Sequence, residues 1–373
     1  MKILIFANTD WYLYNFRYPL AKLYLQDGHD VILMSPPGEY HHHFSPDGFT
    51  WIEFPLNRRS MNPFTELATL LRVIRVYRDQ RPDLALHFTV KCALYGSLAA
   101  RFTGLRRVIN SVTGLGHLFI AEDAYTGFIR SFALRVYRFA LKGTKVVFQN
   151  SDDRQVFLTH GLVKEQNCYM VQGSGVDLNY FTPSGTKPER PLVLLPTRML
   201  WVKGVREFVE ASRSLKAAGV EADFVLAGDN DPGNPASISE QQLTEWHRSG
   251  SVEWRGFCQD MRALFSEAHI VCLPSYREGL SKVLIEAAAA GLPLVATDIP
   301  GNRSIVQDGV NGLLVPMKDP ESLAKALQEL IEDPERCQTM GQASRRIATA
   351  DFSIEQILTG YGEVTASFFQ NSG

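Results

Sequence analysis

Two glutamates, Glu278 and Glu286, stand with seven residues between them around Gly279-Leu280-Ser281. The stretch follows Ile270-Val271-Cys272-Leu273-Pro274, which has the length and composition of a buried strand. It precedes Ala287-Ala288-Ala289-Ala290, which favours helix, and Gly291-Leu292-Pro293, which stops one. Strand, glycine-bearing loop and helix start is therefore the expected order. The N–H groups of Gly279, Leu280 and Ser281 then face outward at the positive end of the helix dipole, an anion site suited to phosphate. A carboxylate beside a bound anion, as Glu278 would be, is costly unless it accepts hydrogen bonds from the ligand. Glu286, about one to two turns into an apolar helix, suits gripping paired hydroxyls such as a ribose diol. A capping loop followed by a half-exposed helix glutamate has the same spacing, so the two acids alone decide nothing.

A second pair has the opposite charge. Arg198 and Lys203 lie five residues apart, across a turn that follows the apolar run 191–196. A departing diphosphate concentrates negative charge that must be neutralised as its bond breaks. An arginine fork and a lysine point charge at a strand's carboxyl end can do that. Two solvated surface cations would look the same.

The elements that must position these residues are legible as a pattern. Short apolar runs alternate with helix-like segments, the mark of parallel sheets covered on both faces. Strands are expected near 2–7, 30–34, 84–87, 106–111, 145–148 and 168–172, then at 191–195, 222–227, 252–254, 269–273, 293–296 and 312–315. Helices fall near 14–27, 63–80, 91–104, 127–142 and 151–160, and in three pieces from Glu321 onward, broken near Pro334 and Asp351. The turn-rich stretch from Asp177 to Pro188 reads as a linker. At 373 residues there is room for two domains. They are expected at 1–180 and 181–356, with a C-terminal helix, 357–373, returning to the first. Ligands of such doubly wound sheets bind at the carboxyl ends of the strands.

Composition narrows the classes. Cys92, Cys168, Cys258, Cys272 and Cys337 lack the close spacing of a zinc or redox site, which suits reduced thiols in a cytoplasmic protein. No run of about 18 apolar residues is present, so no spanning helix is expected. Gly-x-Gly-x-x-Gly is missing after the first strand, which argues against a dinucleotide oxidoreductase. The net charge of −2 hides an asymmetry: residues 1–180 carry 20 Lys and Arg against 15 Asp and Glu, the rest 18 against 25. In the basic half, Arg130, Arg135, Arg138 and Lys142 line one side of an expected helix, and Arg72, Arg75 and Arg78 another. Either ordinary solvated faces or docking on an anionic membrane leaflet explains them; no nucleic-acid-binding motif accompanies the charge. His41-His42-His43 reads as a solvated loop, because adjacent side chains cannot share one face.

The second half resembles the family 4 retaining glycosyltransferases of GT-B fold. The likeness runs through Pro196-Thr197-Arg198, Lys203-Gly204, Leu226-Ala227-Gly228-Asp229, Trp254-Arg255-Gly256-Phe257, Pro274-Ser275, Glu278-Gly279, Glu286, Gly291-Leu292-Pro293, Thr297-Asp298-Ile299-Pro300-Gly301-Asn302 and Asn311-Gly312-Leu313-Leu314-Val315. The resemblance implies two Rossmann-like domains facing across a cleft and a nucleotide-sugar donor, usually a uridine diphosphate sugar. Arg198 and Lys203 would hold the diphosphate without a metal or other cofactor, Glu278 the sugar hydroxyls and Glu286 the ribose. Arg255, Gly256 and Phe257 would approach the base. Retention would follow front-face substitution, with the departing phosphate oxygen taking the acceptor proton.

The first half resembles enzymes that elongate lipid-linked oligosaccharides. Its first loop, Asn8 to Arg17, is aromatic where many relatives carry a Gly-Gly pair, and Arg17 is a candidate contact for an acceptor phosphate. Thr113, Gly114, Gly116 and His117 follow another strand, and glycine turns there expose N–H groups to a cleft. The histidine many relatives carry beside the transferred sugar aligns with Thr113, which leaves His117 and His87 as further candidates. The acceptor implied is a polyprenyl-diphosphate-linked or other glycan, and the expected location is cytoplasmic, peripheral on the inner membrane face. A nucleotide-sugar 2-epimerase of GT-B fold needs cleft histidines with acid and base carboxylates, which this set does not match. A non-catalytic nucleotide-sugar sensor remains a rival that turnover would exclude.

Overall fold

Ile3, Leu4, Ile5 and Phe6 are fully buried, as a central parallel strand requires. Their alternation sends Ile3 and Ile5 to one face of a sheet and Leu4 and Phe6 to the other. The structure is a computed structural model describing residues 1–57, 62–112, 134–184 and 187–370. It divides into two units, Met1–Gly175 with Glu355–Gly373, and Val176–Ile354.

The first unit holds a seven-stranded sheet: β1 (Lys2–Phe6), β2 (Asp30–Ser35), β3 (Thr50–Glu53), β4 (Leu84–Phe88), β5 (Val108–Val112), β6 (Lys145–Phe148) and β7 (Cys168–Met170). The order is β3-β2-β1-β4-β5-β6-β7, with every pair parallel. The helix Pro63–Gln80 packs Val73 and Tyr77 on the Leu4 face, together with Cys92, Tyr95 and Ala99 of the helix Val90–Thr103. On the Ile3 face lie Ile357, Tyr361 and Val364 of the helix Ile354–Ala366. Sequence reading missed β3, a half-exposed edge strand of four residues with no long apolar run.

The second unit holds β8 (Leu192–Pro196), β9 (Asp223–Ala227), β10 (Glu253–Trp254), β11 (Ile270–Leu273), β12 (Leu294–Thr297) and β13 (Gly312–Val315). Their order is β10-β9-β8-β11-β12-β13, again all parallel. The second unit begins at Val176 rather than residue 181 because Val176 is stitched to its end. Val176 N–H donates to Phe352 O at 2.8 Å, and Ile354 N–H to Val176 O at 3.2 Å. Among the described residues, no helix is long and apolar enough to cross a membrane.

Candidate active site

In the second unit the chain winds outward in both directions from β8 and β11, which lie side by side. Such a switch point opens a crevice at the strands' carboxyl ends. The loop leaving β8 carries Arg198 and Lys203, and the loop leaving β11 carries Glu278. Three contacts lock these loops together. Gly204 has φ +71°, and a Cβ there would fall 2.0 Å from Pro274 O, so only glycine lets the backbones approach. Tyr276 N–H donates to Val202 O at 2.9 Å. The Tyr276 hydroxyl donates to Glu207 Oε1 at 2.6 Å. The outcome is an ion pair, Lys203 Nζ to Glu278 Oε1 at 2.5 Å, with both side chains mostly enclosed. From behind, Gly301 backs the Glu278 loop, since a Cβ there would sit 2.4 Å from Glu278 O. Asn302 Nδ2 donates to Thr297 O at 3.0 Å, and the Thr297 hydroxyl donates to Ser275 O.

Ser281 ends the loop as the cap of the helix Lys282–Ala289, its Oγ accepting from Leu284 N–H at 3.4 Å. Gly279 and Leu280 therefore lead directly into a helix N-terminus, the arrangement that favours phosphate. Glu286 lies inside this helix, buried, with Lys282 Nζ 3.4 Å from its Oε1. Burial pushes its carboxyl above the ordinary range, and Lys282 offsets only part of that. Arg198 is exposed and reaches Asp231 Oδ2 at 3.4 Å. Sequence reading missed Asp231, the last residue of Asp229-Asn230-Asp231, whose Asp-x-Asp spacing was the available signal. Among the described residues, no group of three or more His, Cys, Asp or Glu side chains is placed to hold a metal ion.

Arg255 is held between two carboxylates. Its guanidinium is committed to Glu253 Oε1 at 2.9 Å and Glu267 Oε2 at 2.7 Å, which fasten β10 to the helix Met261–Glu267. The side chain anchors this strand end. Its neighbours are candidates with it: Gly256 has φ +66° and accepts from Gly228 N–H at 2.7 Å, and Phe257 is 71% exposed.

Residues 190–333 match the family model described as glycosyl transferases group 1, and residues 2–151 the model described as glycosyl transferase 4-like. The chain belongs to the glycosyltransferase 4-like family. One relative, the N,N'-diacetylbacillosaminyl-diphospho-undecaprenol alpha-1,3-N-acetylgalactosaminyltransferase of Campylobacter jejuni, is 28% identical over 89% of this chain and 90% of its own. The Escherichia coli UDP-Gal:alpha-D-GlcNAc-diphosphoundecaprenol alpha-1,3-galactosyltransferase is 23% identical over 74% of this chain and 73% of its own. A glycosyltransferase from Rickettsia africae superposes with TM-score 0.81 at 20% identity, covering 100% of this chain and 99% of that one. Anabaena HepE, solved in complex with UDP, gives 0.76 at 19% identity, covering 98% of this chain and all of the other. The two sheets are those of the GT-B fold.

The first unit of this glycosyltransferase places two further candidates in its interior. Arg17 ends a π-helical turn, Leu13–Arg17, and is buried to 2% exposure. Its guanidinium stacks 4.3 Å from the Phe88 ring, donates to the Tyr12 hydroxyl at 2.8 Å and lies 5.8 Å from the Tyr361 ring. So enclosed a side chain is held as an internal strut, with its Nε buried and without a hydrogen-bond partner among the described residues. His87 is also internal, 2.6 Å from the Tyr77 hydroxyl and 2.7 Å from Asn110 Oδ1, with burial pushing its imidazole down to about 4. Gly96 makes room for the ring, since a Cβ there would meet His87 Nε2 at 2.4 Å. Thr113, Gly114, Gly116, His117 and Arg130 lie outside the described residues. Arg135, Arg138 and Lys142 are exposed, and Arg138 also turns back to donate to Gly161 O at 3.0 Å and His160 O at 2.7 Å.

Proposed function

We propose that this glycosyltransferase moves a hexosyl unit from a uridine diphosphate sugar to a saccharide carried on polyprenyl diphosphate, with retention and without a metal ion. The observation that carries the reading is the Lys203–Glu278 contact at the switch point of the second unit. A cation and a carboxylate held together there exchange partners when a donor enters. Lys203 turns to the diphosphate and Glu278 to the sugar hydroxyls, while exposed Arg198 closes on the second phosphate. Glu286, buried and short of compensating charge, takes the ribose hydroxyls as donors. The bond between anomeric carbon and phosphate oxygen breaks as a bond to the acceptor oxygen forms on the same face. The acceptor proton passes to the departing phosphate oxygen, so no protein base is required. The names of the Campylobacter and Escherichia relatives, both with undecaprenol-diphosphate acceptors and one with a UDP sugar, support the substrate classes.

The test is transfer from a panel of labelled UDP, GDP and ADP sugars to synthetic polyprenyl-diphosphate-linked N-acetylhexosamine, with the product's anomeric coupling read by NMR. Turnover with a UDP sugar and an α-linked product from an α-donor is expected. Failure with every lipid acceptor alongside transfer to a water-soluble glycan would overturn the acceptor, and an inverted product would overturn the mechanism.

A further inference from the structure

A groove of about 920 Å³ opens in the first unit, lined by Arg78, Arg81, Arg106 and Arg107 with a single carboxylate, Asp83. Asp83 directly precedes β4, and Arg107 directly precedes β5. The groove therefore lies at the amino ends of this sheet, away from the carboxyl ends where the fold places a reaction. Sugar transfer gives it no role.

The charge is unbalanced. Asp83 already accepts from Lys2 N–H at 2.8 Å, and nearby Asp79 lies 3.7 Å from Arg75. Among the described residues, none of the four arginines forms an ion pair with a carboxylate. Like charges gathered in one concavity focus a positive potential there.

The backbone that presents them is fixed. Arg81 N–H donates to Tyr77 O at 2.9 Å, ending the helix Pro63–Gln80 with φ +48° and ψ +57°. Glycine or asparagine suits this left-handed position better than an arginine, whose Cβ is crowded there. Arg107 O accepts from Ala85 N–H at 3.0 Å, and the Arg107 guanidinium lies 4.6 Å from the Phe369 ring. Cations at a helix C-terminus complement its dipole, which accounts for Arg78 and Arg81. It does not account for Arg106 and Arg107, which enter a strand.

We propose that this groove binds a phosphate-bearing anion of two or more charges, recognised by guanidinium forks. The phosphate comes either from a free diphosphate or from the headgroup of an anionic lipid.

The experiment uses the full chain carrying Arg198→Ala and Lys203→Ala, so that the donor site is silenced. Inorganic diphosphate is titrated by calorimetry, and flotation with vesicles containing cardiolipin, whose headgroup carries two phosphates, forms the second arm. One equivalent of diphosphate should bind, more weakly as salt rises. Adding Arg81→Ala and Arg106→Ala should weaken it by about tenfold or more, while Arg81→Lys with Arg106→Lys loses less. Diphosphate binding lost in the alanine variant with vesicle binding unchanged identifies a free phosphate ligand. Vesicle binding lost, where the parent ignores diphosphate, identifies a lipid headgroup. If both probes bind the alanine variant as they bind the parent, or neither binds the parent, the site does not exist. Should the alanine variant unfold, Arg81→Asn with Arg106→Gln gives the same readout, because asparagine accepts the left-handed backbone.

Discussion

Lys203 Nζ stands 2.5 Å from Glu278 Oε1, a cation and a carboxylate brought together from the loops after two neighbouring strands. Each neutralises the other until a donor arrives. Lys203→Met should slow turnover by about 10²-fold, because it removes a positive charge facing the departing diphosphate. It should also cost about 1–3 kcal/mol of stability, since Glu278 is left mostly enclosed without its partner. Lys203→Met with Glu278→Gln should recover the melting temperature but not the rate. A double variant that regains turnover would refute the assignment. Chelation with EDTA should leave the wild-type rate unchanged.

The two glutamates should separate in a binding experiment. Glu286→Ala should weaken bare UDP by about tenfold or more, a loss of about 1.4 kcal/mol. Glu278→Ala should leave UDP binding nearly unchanged and depress transfer. Calorimetry with UDP and with intact donor reads both, and the opposite pattern would contradict the division of labour.

Gly204→Ala tests how Lys203 is held. The new Cβ would sit 2.0 Å from Pro274 O, at φ +71°. Turnover should fall with stability, as the loop that presents Lys203 is pushed away from the Glu278 loop. Gly309→Ala is the control, because φ +73° there comes with open space around the new Cβ. It should cost about 1 kcal/mol and leave the rate alone. Equal loss of turnover in both variants would detach the effect from the Pro274 contact.

The His87 imidazole gives the first unit an acid limit. Its folded pKa, pushed down to about 4, lies below the ordinary 6.5. The unfolded chain therefore takes up the proton first, so stability falls as pH drops from 6.5 towards 4. The full loss is about 3 kcal/mol. Urea melts of wild type and His87→Gln across pH 4 to 7 isolate this, since other titrating groups are common to both. The stability advantage of wild type should shrink as pH falls; a constant difference would remove His87 from the acid response.

What the sequence makes legible depends on how local the cause is. Parallel strands buried on both faces appear as apolar runs, and the loops of the second unit carry their glycines because a Cβ at Gly204 or Gly301 would fall 2.0–2.4 Å from neighbouring backbone. The partners of Arg255, Arg17 and His87 were not legible for a shared reason. A polar residue at a strand end has the same letter whether it faces a ligand or the interior. Arg255 pairs with Glu267, Arg17 lies against the Phe88 and Tyr361 rings with its buried Nε left without a hydrogen-bond partner among the described residues, and His87 meets Tyr77, all partners that only tertiary folding brings near. Asp231 was missed from the other direction, because its partner Arg198 lies 33 residues away.

The acceptor assignment requires the enzyme to meet a membrane, and the side chains now divide the expected docking cations into two kinds. Arg135, Arg138 and Lys142 are all exposed, but Arg138 alone of the three also holds the carbonyls of His160 and Gly161. Exposed Phe139 and Phe102 accompany them, with Arg101 4.9 Å from the Phe139 ring. Cations near an anionic leaflet contribute about 1 kcal/mol each, enough together with inserted aromatic rings for reversible attachment. Arg135→Glu with Lys142→Glu should weaken binding to anionic vesicles by more than tenfold and slow transfer to long-chain lipid acceptor, with UDP binding unchanged. Arg138→Glu should instead lower the melting temperature, because it leaves two carbonyls without their donor. Wild-type attachment should fade as salt rises, since exposed charges are screened over about 10 Å at 0.1 M. Should wild-type protein ignore anionic vesicles at low salt, and use a water-soluble acceptor as readily as a lipid one, these residues are a solvated face and the lipid acceptor must be given up.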